Sequence, residues 1–286
     1  MPLLIIGPTA SGKSGLAVAV ARRLCGTVVN GDPYQAVAGL AIGTGQPSEV
    51  ERQDLPHLGY GVLPLSTRPN PAEFGRLVRG WLASAAEPVL VTGSGLYLRG
   101  IWAQLSHLPE VPEAVVAKVR AWGKALGIPV LHRYLAALDP ARAADLHPND
   151  QARVTRALAL HLATGQRPSS LLEGPARDIP QGWRVREVEP SREARRSRVA
   201  QRVRGQIEAG WPQEVAGLLL RGHREDLAAL KPLGYQAWME GGEPRACEAR
   251  IVQETQAYAK RQATFCRNQL RDAATWDPDM DPLSAA

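Results

Sequence analysis

The sequence predicts an α/β fold, in which helices cover a parallel β-sheet and a smaller, all-helical insertion domain interrupts the chain. Short apolar runs that end in glycine indicate buried parallel strands, and residues 3–7 ("LLIIG") are the first of them. Helical segments alternate with these runs over residues 1–102. From residue 103 helical periods follow one another without a strand between them, which predicts the insertion.

The first strand leads directly into a helix. Its apolar positions recur at the spacing of one helix face, and they are Leu16, Val20 and Leu24. Gly26 follows these positions, so we expect it to end the helix. Residues 27–30 ("TVVN") then form a second strand, which Asp32 follows almost at once.

The next helix and strand continue the alternation. Asn70 is a favoured helix cap, and Pro71 and Glu73 after it suit a first turn, so a helix is expected to start here. Residues 87–95 ("EPVLVTGSG") form another buried strand with a glycine-rich end.

The remaining sequence divides into an insertion and a return to the core. We expect residues 103–180 to form the helical insertion domain, and residues 1–102 and 181–286 to form the core. Residues 183–190 ("WRVREVEP") are a candidate strand that returns to the sheet, and two or three helices complete the chain. The last of these helices is long and covers residues 244–270.

Composition limits the class of protein. The formal net charge of +6 and the pI of about 9.5 fit either an arginine-rich composition bias or an anionic partner such as nucleic acid. Cys25, Cys247 and Cys266 lie far apart, which argues against zinc ligation and a disulfide framework. No apolar run approaches the length of a membrane span, and no charged leader precedes "PLLII", so we expect a cytoplasmic protein without membrane contact.

Residues 7–14 ("GPTASGKS") match the phosphate-binding loop pattern Gly-x-x-x-x-Gly-Lys-Ser. Backbone N–H groups converge on an anion in such a loop, and the following helix adds its positive N-terminus. Lys13 can reach the outer phosphate, and the Ser14 hydroxyl can bind Mg²⁺. The loop lies between a predicted strand and a predicted helix, which favours a P-loop-type sheet over an ordinary glycine-rich turn. The predicted phosphate-binding residues are Gly7, Pro8, Thr9, Ala10, Ser11, Gly12, Lys13 and Ser14.

Asp32 and Ser94 follow two further strands. Ligands of parallel sheets bind beyond the carboxyl ends of the strands, so Asp32 is expected to face the same crevice as the phosphate loop. An aspartate before proline also often holds a turn, and position alone leaves both roles open. Ser94 lies between two glycines, where its hydroxyl can approach a ligand, but a tight strand-to-helix turn explains it as well.

Basic side chains cluster in three places outside the predicted sheet. The clusters are Arg195, Arg198 and Arg202 beside the apolar face of one helix, Arg153 and Arg156 on another, and Lys260, Arg261 and Arg267 near the end of the last helix. Arginine at the edge of a buried face is well placed to bind phosphate, although a solvated basic face explains most arginines of this region equally well. Three separate clusters favour a polyanion, and hence nucleic acid, over a small substrate.

The chain resembles a known family, the tRNA dimethylallyltransferases, also called tRNA isopentenyltransferases. Seven collinear stretches carry the resemblance: "GPTASGKS", "GDPYQAVAGLAIGTGQP", "TGSGLYLRG", "LDPARAADLHPNDQARVTRAL", "AGWPQEV", "KPLGYQ" and "AKRQATFCR". They extend over almost the full length of the chain.

The resemblance implies transfer of a dimethylallyl group from dimethylallyl diphosphate to N6 of the adenosine on the 3′ side of the anticodon. It implies Asp32 as general base, Ser94 and Arg202 as diphosphate contacts, and Mg²⁺ bound through Ser14. Contacts with the anticodon stem-loop of tRNA are expected from Asp32, Pro33, Tyr34 and Gln35, from Ala152, Arg153, Val154, Thr155 and Arg156, and from Lys260 and Arg261. We expect the enzyme to be a monomer.

The chain departs from the family pattern near the expected site. The departures are Asn30, Gly31, Pro33, Val37 and Gln46, together with Ser94 where the family has Thr. Three alternatives remain: an adenylate isopentenyltransferase, a small-molecule P-loop kinase that uses ATP, and a nucleic-acid-binding module with a relict phosphate loop. The helical insertion and the basic clusters argue against the first. The intact Lys13 and Ser14 argue against the third.

Overall fold

A computed structural model describes residues 1–52, 54–68, 70–102, 109–171, 179–270 and 273–276. The chain forms two compact units, one from Met1–Ala103 with Arg177–Ala286 and one from Gln104–Ala176. The expected domain boundary at residue 103 lies outside the described residues, as does most of the segment that precedes residue 181.

The first unit is built on a six-stranded sheet in which every pairing is parallel. The strands are β1 (Leu3–Ile6), β2 (Thr27–Asn30), β3 (His57–Leu58), β4 (Pro88–Thr92), β5 (Arg184–Val188) and β6 (Ala274–Trp276), in the spatial order β3-β2-β4-β1-β5-β6. The predicted fold class is confirmed. Strands β3 and β6 were not predicted, because their two and three residues are too few to show a sequence pattern.

Helices pack on both faces of this sheet. Those before the insertion are α1 (Lys13–Leu24), α2 (Ala41–Thr44), α3 (Glu49–Arg52), α4 (Pro71–Ser84) and α5 (Gly95–Ile101). Side chains of β1 alternate between the faces, as the strand period requires. Leu3 and Ile5 pack with Leu16 and Val20 of α1, whereas Leu4 and Ile6 lie in the core that α4 and α5 complete on the other face.

Two helix ends show how local sequence sets the fold. Asn70 accepts hydrogen bonds from the backbone N–H groups of Ala72 and Glu73, and Glu73 accepts one from the Asn70 N–H in return. This capping box confirms the predicted start of α4. The predicted end of α1 is wrong by one residue, because Cys25 (φ 49°) takes the left-handed position. Gly26 is needed for another reason, since a Cβ there would collide with the Glu87 carbonyl.

The second unit is helical wherever it forms regular structure within residues 109–171. Its helices are α6 (Glu113–Leu126), α7 (Ile128–Leu138), α8 (Pro140–Ala144), α9 (Gln151–Thr164) and α10 (Pro168–Leu171). Val119, Leu131, Leu135, Val154 and Leu158 are among the residues of their shared core.

The chain then returns through β5 and continues in helices over residues 192–269. These are α11 (Arg192–Glu208), α12 (Trp211–Leu220), α13 (Arg224–Leu230), α14 (Tyr235–Glu240) and α15 (Pro244–Gln269). The expected number of two or three was wrong, because glycines with positive φ interrupt the region at Gly210, Gly222, Gly234 and Gly241. None of the described helices is both long and apolar enough to cross a membrane.

Candidate active site

The phosphate loop lies where β1 ends and α1 begins. Ala10 (φ 60°) and Gly12 (φ 94°) are both in the left-handed region, which turns the backbone sharply at this point. Gly12 caps α1 without a side-chain hydrogen bond. The first N–H groups of the helix are therefore not used by a capping side chain and are suited to an anion.

A cavity of about 290 Å³ opens at this loop. It gathers residues from the ends of β2 and β4 and from α1, α11 and α15. Among its lining residues are Thr9, Lys13, Ser14, Asp32, Tyr34, Gln35, Thr44, Arg202, Tyr258, Arg261 and Gln262. The structure thus brings Asp32 and Arg202, far apart in sequence, to the predicted phosphate-binding residues.

Lys13 is the cation of the loop. Its ammonium group donates a hydrogen bond to the Pro8 carbonyl at 3.2 Å. The pKa of Lys13 is lowered to about 8, mainly by burial and in smaller part by the positive charge of Arg202. The negative charge of Asp32 opposes this shift. Lys13 therefore still holds its proton at neutral pH, and a bound anion would strengthen that state.

Asp32 is held in place by backbone and side-chain hydrogen bonds. Its Oδ1 accepts a hydrogen bond from the Tyr34 N–H at 2.9 Å. The Asn30 amide donates to the Asp32 carbonyl and accepts from the Asp32 N–H, both at 2.8 Å, so one side chain grips both sides of this residue. Burial raises the pKa of Asp32, while the Tyr34 N–H and Lys13 oppose the change. Asp32 thus serves both roles considered from the sequence: it holds a turn and faces the cavity.

Tyrosine side chains lie around Asp32. Burial raises the pKa of Tyr34, Tyr60, Tyr97 and Tyr258, and the negative charge of Asp32 raises each further. Tyr34 and Tyr258 belong to the cavity wall itself. Except for Tyr34, these aromatic neighbours were missed in the sequence, where they lie on separate elements. Tyr34 and Tyr258 give the cavity near Asp32 an aromatic surface.

Two arginines of α11 reach the phosphate loop and the cavity. Arg198 donates a hydrogen bond to the Ser11 carbonyl at 3.2 Å, and Arg202 donates one to the Thr44 carbonyl at 3.1 Å. Burial lowers the pKa of Arg202, and Asp32 counteracts the shift. The Arg202 guanidinium lies so close to Gly45 (φ 68°) that a Cβ there would collide with it.

Ser94 lies just behind the cavity wall, of which Thr92 and Gly93 form part. It is the N-cap position of α5, its backbone N–H donates a hydrogen bond to the Thr92 hydroxyl at 3.1 Å, and its side chain lowers the pKa of Tyr258, against the effect of burial. The geometry therefore connects Ser94 to the site through a residue that the sequence analysis had not singled out.

Gln262 is the most consequential residue that the sequence analysis missed. It is 6% exposed and uses both ends of its amide. Oε1 accepts a hydrogen bond from the Thr9 N–H, and Nε2 donates one to the Gly93 carbonyl, each at 2.8 Å. Helix α15 thereby ties the phosphate loop to the loop that follows β4.

The residues expected to contact tRNA fall in several places. Arg261 lines the cavity, with its guanidinium 5.6 Å from the centre of the Tyr258 ring, and Pro33 borders a smaller pocket beside it. Lys260 instead lines a separate groove. In the second unit, Ala152, Arg153 and Arg156 are exposed on α9, whereas Val154 and Thr155 are buried.

Several family departures also lie close to Asp32. Position 31 has room only for glycine, because a Cβ there would lie 2.9 Å from the Thr92 Cβ. The Thr92 hydroxyl donates a hydrogen bond to the Gly31 carbonyl at 2.8 Å. Val37 is buried, and its carbonyl accepts a hydrogen bond from the Gln46 amide at 2.8 Å. These substitutions thus form a consistent local structure.

The donor groups of the cavity suit a hard divalent cation better than a soft one. Ser14 and Asp32 offer oxygen atoms there. Mg²⁺ commonly takes one or two protein oxygens and completes its shell with water and substrate phosphates. Within the described residues no group of three His, Cys, Asp or Glu side chains is placed to hold a metal alone.

The fold and the cavity define an α/β protein in which Asp32 and Arg202 meet the residues of the predicted phosphate loop at one end of a parallel sheet. A family model described as IPP transferase matches residues 35–269, and a second, described as Isopentenyl transferase, matches residues 2–58. The chain belongs to the IPP transferase family, as its sequence resemblance predicted.

Curated relatives carry the name tRNA dimethylallyltransferase. The protein of Rhodospirillum centenum is 42% identical, over 96% of this chain and 91% of its own, and that of Halorhodospira halophila is 38% identical, over 93% and 90%. The solved tRNA isopentenylpyrophosphate transferase of Bacillus halodurans is 28% identical with a TM-score of 0.67, and the match covers 98% of this chain and 91% of that one. A eukaryotic dimethylallyltransferase acting on tRNA shares the fold, at 21% identity and a TM-score of 0.72 over 96% and 73%.

Proposed function

We propose that this protein transfers the dimethylallyl group of dimethylallyl diphosphate to N6 of the adenosine on the 3′ side of the anticodon in certain tRNAs, with release of diphosphate. The observation that carries the proposal is the shared cavity, in which Asp32 faces the phosphate loop and Arg202. The names of the relatives support the same reaction.

The phosphate loop and its cations are the diphosphate side of the site. As the allylic C–O bond breaks, the electron pair stays with the diphosphate and its negative charge grows. The loop N–H groups, Lys13 and Arg202 stabilise that charge where it develops. Mg²⁺, when bound, supplies further positive charge, and the Ser14 hydroxyl is the protein group that would hold it.

Asp32 is the base on the acceptor side. The N6 amine of adenine is a poor nucleophile, because its lone pair is delocalised into the ring. As the new N–C bond forms, N6 must lose one proton, and the Asp32 carboxylate accepts it. Burial raises the pKa of this carboxyl and so its basicity. Tyr34 and Tyr258 offer the flat base an aromatic surface.

The choice of tRNA as acceptor follows from charge. The net charge is +6, Arg261 lines the cavity, and Arg153 and Arg156 are exposed on α9. A free adenine nucleotide is the second candidate acceptor, because the phosphate loop and Asp32 in the cavity would serve it equally well. Such an acceptor leaves the basic helices without a role.

One assay separates these candidates. The protein is incubated with Mg²⁺, dimethylallyl diphosphate and either an unmodified tRNA transcript or AMP, and the products are resolved by mass. Prenylated tRNA is the expected result. Prenylated AMP without prenylated tRNA would show that the acceptor is a free nucleotide instead of tRNA. Transfer to neither acceptor would overturn the proposal, and a parallel incubation with ATP would then show by phosphoryl transfer whether the protein is a kinase.

A further inference from the structure

A second cavity, of about 430 Å³, lies between α11 and α15, apart from the proposed active site. We call it the basic groove. Its cationic side chains are Arg192, Arg195 and Arg196 of α11 with Lys260 and Arg267 of α15. None of its described lining residues is acidic. Its charge is therefore strongly positive.

Most of this charge has no ion-pair partner in the part of the chain that the structure describes. Arg267 pairs with Glu189 at 3.2 Å. For Arg192, Arg195, Arg196 and Lys260, the described residues provide no acidic group within ion-pair distance. Arginines three and four positions apart on one helix repel each other, so the arrangement favours an anion from outside.

The length and lining of the groove indicate what kind of anion fits. The lining residues of α15 extend from Gln253 to Arg267, which at about 1.5 Å per residue is roughly 21 Å of helix. A double helix rises roughly 3.4 Å along its axis per nucleotide of one strand, so that length corresponds to about six nucleotides of a duplex lying parallel to the groove. A single small anion would occupy a fraction of it. The other lining residues include alanines and amides but no aromatic ring on which a base could stack.

We propose that the basic groove binds the phosphodiester backbone of the RNA substrate, away from the nucleotide that reacts. This inference rests on the proposed function, because it takes the substrate to be RNA. The two helices connect both sites: α11 also carries Arg198 and Arg202, and α15 carries Arg261 and Gln262. Contacts to phosphates add affinity and fix register but do not read sequence.

The test removes three charges from the groove while leaving the active site intact. The variant carries Arg192→Gln, Arg195→Gln and Arg196→Gln. Its matched control carries Arg76→Gln, Arg224→Gln and Arg245→Gln, which are exposed and lie outside the groove. Binding of an unmodified tRNA transcript is measured over a series of salt concentrations, and thermal unfolding checks that both variants fold.

We expect the slope of log affinity against log salt to fall by about 2 to 3 in the groove variant, since each lost phosphate contact removes roughly 0.7 to 0.9. The KM for dimethylallyl diphosphate and the rate at saturating tRNA should stay unchanged. An unchanged slope, or an equal change in the control, would overturn the proposal. So would loss of inorganic diphosphate binding with unchanged tRNA binding, because it would mark a small-anion site.

This measurement needs no prenyl donor. If the wild-type protein binds tRNA with the expected salt dependence but transfers no prenyl group, the proposed function fails and the groove assignment stands. If transfer occurs and the groove variant binds tRNA like the wild type, the groove assignment alone fails.

Discussion

Replacing Gln262 by Met removes both hydrogen bonds of the amide while keeping the length of the side chain. The Thr9 N–H and the Gly93 carbonyl then lose partners that lie at 2.8 Å. A buried polar group left unpaired costs roughly 1 to 3 kcal/mol, so the two together cost about 2 to 6 kcal/mol. Native proteins are stable by only about 5 to 15 kcal/mol, so the loss is expected to be large.

Two measurements test this prediction. Urea unfolding gives the free energy of unfolding, and steady-state kinetics give the KM for dimethylallyl diphosphate and its kcat/KM. We expect lower stability, a higher donor KM and unchanged affinity for tRNA, because the phosphate loop loses its connection to α15. Gln253→Met, at an exposed position of the same helix, is the control and should stay within about 0.5 kcal/mol of the wild type.

An unchanged stability or an unchanged donor KM in Gln262→Met would contradict this prediction. If Gln262→Met unfolds within about 0.5 kcal/mol of the wild type and keeps its donor KM, Gln262 does not position the loop. If stability falls but donor KM does not, its role is structural only.

Lys13→Ala is expected to lower turnover at saturating substrates and to leave tRNA affinity unchanged, and normal transfer would refute the assignment of Lys13 to the diphosphate. In the wild type, kcat/KM for the donor should fall as pH rises through about 8, where Lys13 loses its proton, and Lys13→Ala should lack this decline. Asp32→Asn should retain donor binding, measured by calorimetry, and lose transfer, and near-normal transfer would exclude Asp32 as the base. The pKa of the buried Glu187 is raised from its ordinary 4.5 to about 7, mainly by burial and in smaller part by repulsion from Glu189. Because the folded state then binds the proton more tightly, the free energy of unfolding should fall by up to about 3 kcal/mol between pH 4.5 and 7. Glu187→Gln should flatten that pH dependence of unfolding, and a variant with the wild-type profile would contradict the shift.

The parts of the fold that the sequence predicted are those encoded locally. The strand before the predicted phosphate loop, the helix after it and the capping box at Asn70 each depend on a few neighbouring residues, and each is found in the structure. The number of helices after residue 192 was predicted wrongly, because glycines with positive φ divide a region that the apolar periodicity alone presents as continuous helix. Short strands such as β3 contain too few residues to show alternation.

The candidate site divides in the same way. Asp32 and Arg202 could be singled out because one follows a strand and the other flanks an apolar helix face. Gln262 and Tyr258 could not, because the partners of their side chains lie on β1–α1 and β4–α5 connections far away in sequence. A polar residue within a long helix gives no sign of which distant backbone groups it will meet.

The hydrogen bond between Thr9 and Gln262 joins residues 253 positions apart. Ribosomes add about 5 to 20 residues per second, so the phosphate loop is made roughly 10 to 50 s before the residue that fastens it. A nascent or prematurely terminated chain therefore has the loop sequence but not the finished loop. We expect the capacity to hold the prenyl donor to arise only when translation is nearly complete, which keeps unfinished chains from engaging the donor.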